Sequence, residues 1–160
     1  MAFSAFVNFG DIKGESTDKD HKDWVVITHF DHQVSSAQKN LPGQPTEAVQ
    51  LSQFKITKLL DAATPKLEEA ACKGTHIPEV TIECWRAGEK PLKYYEVKLR
   101  EVLVTGVATN GDSKADQVAP TEVVSMTFGA IEWTYTKQKP DGSAGGNVSA
   151  QWSVVKGAAA

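Results

Sequence analysis

Only one stretch of this chain, beginning at Thr64-Pro65, repeats its apolar residues at helical spacing; elsewhere they alternate or run in short β-branched blocks. Leu67, Ala70 and Ala71 recur at intervals of three and four, with Leu59, Leu60 and Ala63 leading in. Proline suits the first helical turn, Thr64 is placed to cap the free amides, and Glu68-Glu69 lie toward the positive end of the dipole. Lys73-Gly74 closes the segment after roughly ten residues. A chain of 160 residues with one short helix must build its core from strands.

The strands follow from alternation and turn chemistry. Ala5 to Phe9 forms a first strand closed by Gly10-Asp11, and Trp24 to Ser35 a long second one. Lys39-Asn40-Leu41-Pro42-Gly43-Gln44-Pro45 has the composition of a loop. Val49 to Lys58 reads as a third strand with a bulge where the alternation shifts. After the helix, Val80, Ile82 and Cys84 alternate with polar residues. Tyr94 to Thr105 turns Tyr95, Val97, Leu99, Val102 and Val104 inward. Asn110 to Ser113 is a polar turn. Val123 to Thr136 is one long strand bent at Gly129, and Asp141 to Gly146 leads to a last strand, Val148 to Val155. This pattern predicts a mainly β fold, a small antiparallel β-barrel with one short flanking α-helix. No repeat or linker divides it, so residues 1–160 form a single domain, with 158–160 as a fraying tail.

Charge and composition exclude several classes. The formal net charge is −3, which gives no pull toward nucleic acid or an anionic membrane. No apolar run reaches the ~20 residues of a membrane span, so no membrane insertion is expected. The segment Met1 to Phe6 lacks the basic and apolar regions of a cleavable leader, which points to a cytoplasmic protein that leaves, if it does, without one. Cys72 and Cys84 read as two buried thiols.

The polar run Gly14-Glu15-Ser16-Thr17-Asp18-Lys19-Asp20-His21-Lys22-Asp23 invites a search for chemistry. It begins like a calcium loop at Asp18 and Asp20, but Asp23 stands where glycine is needed and His29 where glutamate is. His29 and His32 fall on opposite faces of a strand, while His29 and Asp31 share one. His21 and His76 stand alone, so no zinc set converges. No helix follows Ser16 to receive a phosphate, and no nucleophile motif is present. Neither cofactor, metal nor catalytic residue is expected. Trp24, Trp85, Trp133 and Trp152 lie on strands, where core or subunit contacts are their ordinary home.

Three segments in register carry a resemblance. Phe6-Val7-Asn8-Phe9-Gly10-Asp11-Ile12-Lys13-Gly14-Glu15-Ser16 with Asp18 and His21 is similar to the opening of the Hcp family, the tube proteins of bacterial type VI secretion. Lys58 to Leu67 with Cys72, Gly74, His76 and Pro78 resembles that family's helix and its exit. Glu132-Trp133-Thr134-Tyr135, Gln138, Gly142 to Gly146 and Trp152 resemble its closing hairpin.

The resemblance implies homo-hexameric rings that stack into a hollow tube, engage sheath and spike proteins, carry small effector proteins in the lumen, and are secreted without a cleavable signal. It also implies that Gly14, Glu15, Ser16, Asp18, Asp20, His21 and Asp23 belong to an extended loop reaching a neighbouring ring or subunit. Two departures stand out: the stiff loop at 39–45, and Phe30-Asp31-His32 where the family often places a small residue on the lumen side. An Asp31 facing the lumen implies an acidic belt that favours basic or polar cargo. The alternative class is a carbohydrate- or small-ligand-binding β domain that uses surface tryptophans.

Overall fold

The computed structural model describes residues 3–36 and 49–159. In chain order its strands are β1 (Phe3–Asn8), β2 (Val25–Ile27), β3 (His29–Asp31), β4 (Val34–Ser35), β5 (Gln50–Leu51) and β6 (Phe54–Leu59). After helix α1 (Thr64–Lys73) come β7 (His76–Arg86), β8 (Leu92–Asn110), β9 (Thr121–Thr127), β10 (Ala130–Gln138) and β11 (Ala144–Ser153). The fold is mainly β, with one helix among the described residues.

The hydrogen-bonded path runs β2-β1-β7-β8-β9-β6-β3, with β10 added on β8 and β11 on β10. Every pairing is antiparallel. β2 and β3, the two ends of that path, are separated in the chain only by Thr28, whose N–H donates to the Thr57 carbonyl at 2.8 Å. No ladder pairs β2 with β3 among the described residues.

β8 organises the sheet. β7 follows it along one side, while its other side pairs first with β10 and then with β9. The change of partner falls at Glu101, a non-glycine residue at φ 51°. This bend resets the alternation: Val97 and Leu99 are buried before it, Val102 and Val104 after it. Opposite the bend, the Gly129 N–H donates to the carbonyls of Arg100 (2.9 Å) and Glu101 (3.2 Å). The strand expected over Val123 to Thr136 is therefore two strands with two different partners, bent at Gly129 as the sequence indicated. The expected second strand divides in the same way, because β2 pairs with β1, β3 with β6 and β4 with β5. The third divides at Ser52-Gln53, and β5 belongs to a separate two-stranded ladder.

The core is apolar and continuous, with Val7, Val25, Phe54, Ile56, Val80, Leu99, Val124 and Met126 at its centre. α1 adds Leu67 and Ala70 to it and lies against β8. The helix spans the predicted residues and ends at Gly74 in the left-handed region (φ 64°). Its start differs from expectation. Ala63 is the capping position and no side chain caps it, while Thr64 is turned inward.

The Thr64 hydroxyl donates to Glu122 Oε2 (2.9 Å) and accepts from Lys58 Nζ (3.0 Å). Lys58 and Glu122 are both fully buried, 3.3 Å apart, and Lys58 also reaches Asp61 Oδ1 at 2.7 Å. A buried cation held by several acceptors draws Thr64 into its own shell, and away from the helix amides. Nor do Glu68 and Glu69 occupy the first turn. Glu69 sits on the exposed face between Lys66 (3.5 Å) and Lys73 (2.6 Å), at ordinary helical ion-pair spacing.

One smaller expectation is corrected. Cys72 is exposed on α1, and only Cys84 is buried. The chain end turns back at Gly157 (φ 61°), so that Ser153 N–H donates to the Ala158 carbonyl at 2.8 Å and Ala158 is tied down. The loop expected at 39–45 lies outside the described residues.

Candidate functional site

The polar segment between β1 and β2 is built by backbone pairing at its base. Gly10 (φ 70°) turns the chain with the Asn8 side chain accepting its N–H, and Phe9 bridges to Ile12. Gly14 N–H then donates to the Asp23 carbonyl (2.8 Å), Asp23 N–H to Ser16 (2.9 Å), and Ser16 N–H to Trp24 (3.0 Å). Gly14 is required by packing, because a Cβ there would lie 2.5 Å from the Trp24 carbonyl oxygen. Ser16 Oγ accepts from Asp18 N–H, and Asp18 Oδ1 accepts from the N–H groups of Asp20 and His21.

His21 decides where the segment goes. Its ring is 4% exposed and stacks flat on Phe6, with centroids 4.2 Å apart, while Trp24 and Trp85 meet it edge-on. Phe6 points to the outer face of β1, opposite the core residues Ala5 and Val7. The loop is thus folded back over β1 and β7. Nδ1 lies 2.6 Å from Asp18 Oδ1 and Nε2 lies 2.7 Å from Glu83 Oε2. Trp85 Nε1 donates to the same Glu83 oxygen at 2.8 Å, and Lys93 reaches the other at 3.6 Å.

The electrostatics follow from these contacts. The ring's hydrogen bond holds the Asp18 carboxyl below its ordinary range. Burial would raise Glu83, but the hydrogen bonds from His21 and Trp85 outweigh it and leave this carboxyl low as well.

The seven residues expected to form a docking loop are therefore in one segment but not in one role. Gly14, Ser16 and His21 are buried within the subunit; Glu15, Asp18, Asp20 and Asp23 are exposed. Among the described residues, no three His, Cys, Asp or Glu side chains are arranged to hold a metal ion. Trp24 and Trp85 are engaged by His21, and Trp133 and Trp152 pack against the core. Asp31 is exposed on β3 with His29 on the same face, and it stands directly opposite Lys55 of β6. The acidic position expected at Asp31 thus has a base beside it. His32, on the other face, lies among Phe54, Phe128 and Trp133, and burial lowers its basicity.

Sequence reasoning missed Phe6, Glu83 and Trp85 as the partners of His21. The available signal was the alternation of β7, which puts Glu83 and Trp85 on one face.

Comparison with known proteins agrees over most of the chain. Residues 6–135 match the family described as "Type VI secretion system effector, Hcp". Protein hcp1 of Pseudomonas aeruginosa is 32% identical over 158 residues, 96% of each chain. The Major exported protein of the same organism is 26% identical over 139 residues, 83% of this chain and 81% of its own. A solved type six secretion system protein at 24% identity superimposes with a TM-score of 0.93, over 99% of this chain and 100% of its own. With the polar loop, the helix and the closing hairpin all inside or beside the matched span, this chain belongs to the Hcp family of type VI secretion proteins.

Proposed function

We propose that this chain is the tube subunit of a type VI secretion system, a single domain over residues 1–160 that acts as a building block and not as an enzyme. Six copies close into a ring, and rings stack into a hollow tube that is assembled in the cytoplasm. The tube is expelled with sheath and spike proteins, leaves without a cleavable leader, and carries small effector proteins in its lumen.

Family membership supports this reading, but one structural observation carries it. β11 runs for ten residues as the outermost strand, pairs only with β10 among the described residues, and is exposed along nearly its whole length. A long free edge invites pairing with another chain, and a head-to-tail contact repeated by rotation closes into a ring.

Within one subunit, a barrel is the natural closure of the sheet. Thr28 alone separates the strands at the two ends of the path, and its N–H already bonds to β6. The face of β3 that carries His29 and Asp31 is then the cargo-facing surface, with Lys55 alternating with the acid at each copy.

Size-exclusion chromatography with light scattering, followed by electron microscopy, tests the assembly. Six-membered rings are expected; a strict monomer at high concentration would refute the reading. Rings of Asp31→Ala should differ in effector retention, and unchanged retention would remove Asp31 from the cargo surface.

A further inference from the structure

The contacts around His21 carry a consequence for the loop it anchors. An ionised carboxylate can only accept hydrogen bonds, and an imidazole ring with one proton has one N–H to give. Here both ring nitrogens face carboxylate oxygens, at 2.6 Å and 2.7 Å. Both contacts are hydrogen bonds only when the ring carries two protons. A neutral ring, covered by Phe6, Trp24 and Trp85, turns one lone pair on an anionic oxygen at hydrogen-bond distance.

We propose that the segment from Gly14 to Trp24 is a proton-dependent latch, closed while His21 bridges Asp18 and Glu83 as an imidazolium, and opened at its Asp18 end when the ring loses its second proton.

The direction of opening follows from the neighbours. Glu83 is held from elsewhere: Trp85 Nε1 donates to it and Lys93 lies beside it. The ring therefore keeps Nε2–H for Glu83 and gives up Asp18, whose other ring-side support is only the short turn of its own loop. The ionisable groups around the ring are Asp18 and Asp20 on the loop, Glu83 and Arg86 on β7, and Lys93 and Glu96 on β8; β1 contributes only Phe6 and Ser4. The base of the loop is fixed by backbone bonds at Gly14 and Ser16 and does not depend on the ring, so the motion is confined to the tip. That tip carries Asp18, Lys19 and Asp20, three of the segment's exposed charges.

Amide hydrogen exchange of the full-length protein, corrected for the intrinsic pH dependence, tests this alongside nitrogen-15 spectra of labelled histidine. A His21→Gln variant assigns the ring signals. Wherever the tip is protected, the spectrum should show both His21 nitrogens protonated. As the ring loses its second proton, protection at Asp20 and His21 should fall by about tenfold, while Gly14 and Ser16 keep theirs. In Asp18→Asn the side-chain amide can donate to an unprotonated Nδ1, so protection of the tip should no longer follow pH. Asp18 is exposed, so this variant leaves the core intact. A tip that stays protected over a neutral His21 ring would overturn the proposal. So would tip protection that ignores ring deprotonation, a ring that keeps both protons until the protein unfolds, or wild-type pH dependence in Asp18→Asn.

Discussion

Gly14 shows how a single residue fixes the path of the polar loop. The atoms that a Cβ would meet, the Trp24 carbonyl at 2.5 Å and Val25 Cα at 2.8 Å, are backbone and cannot swing aside. Gly14→Ala is expected to cost about 1–3 kcal/mol, the usual range for forced overpacking. The urea midpoint of the purified variant checks this, and an unchanged midpoint would refute it. Asp18 and Glu83 supply a pH prediction. Both carboxyls titrate below their ordinary range in the folded chain. Their contribution is therefore present above the unfolded values and lost as pH falls through the lowered folded ones. Asp18→Asn should lose less of its urea midpoint than wild type on acidification below about pH 4. The role of His21 was only half legible in the sequence. Asp18 stands three residues before it, but Glu83 stands sixty-two residues after it, so no local spacing could pair them.

At the scale of elements, the bounds of α1 were legible, though not its cap, because their signals are local: Pro65, the apolar stripe and Gly74. The divisions of the strands were not, because they depend on which neighbour each half meets. Traces were left at Gly129, at the shift of alternation near Gln53, and at the step from Leu99 to Val102, whose physical cause is Glu101 at φ 51°. The joint between helix and sheet was invisible for a different reason. Lys58 and Glu122 occupy inward positions of β6 and β9, where alternation predicts apolar residues. They are tolerated because each is the other's partner, with Asp61 and Thr64 completing the shell. Lys58→Met leaves a fully buried carboxylate without its cation and should destabilise by about 3–5 kcal/mol; adding Glu122→Leu should restore much of that loss. Chemical denaturation of the single and double variants measures both, and equal stabilities would show that the pair is not coupled.

For the whole molecule, the division of the polar loop into buried and exposed residues selects the side chains that can carry the proposed docking contact. Asp18 is tied to His21, so a change there alters the fold of the loop as well as its charge. Glu15 and Asp20 are exposed, and neither side chain is an acceptor in the loop's own bonds. Reversing both to lysine should leave isolated rings intact and reduce ring stacking or secretion, scored by electron microscopy and by the fraction of protein in the culture supernatant. Wild-type behaviour in both would remove the loop from the contact.

The two thiols give the molecule a built-in reporter. Cys72 is on the surface of α1, whereas burial in β7 pushes the Cys84 thiol up to about 11. Thiolate is the reactive form, so an alkylating dye at neutral pH should modify one cysteine per folded chain and a second only once the sheet has opened. Mass spectrometry of the labelled protein then counts unfolded chains directly. The same selectivity places a single fluorophore on every folded chain without an engineered residue.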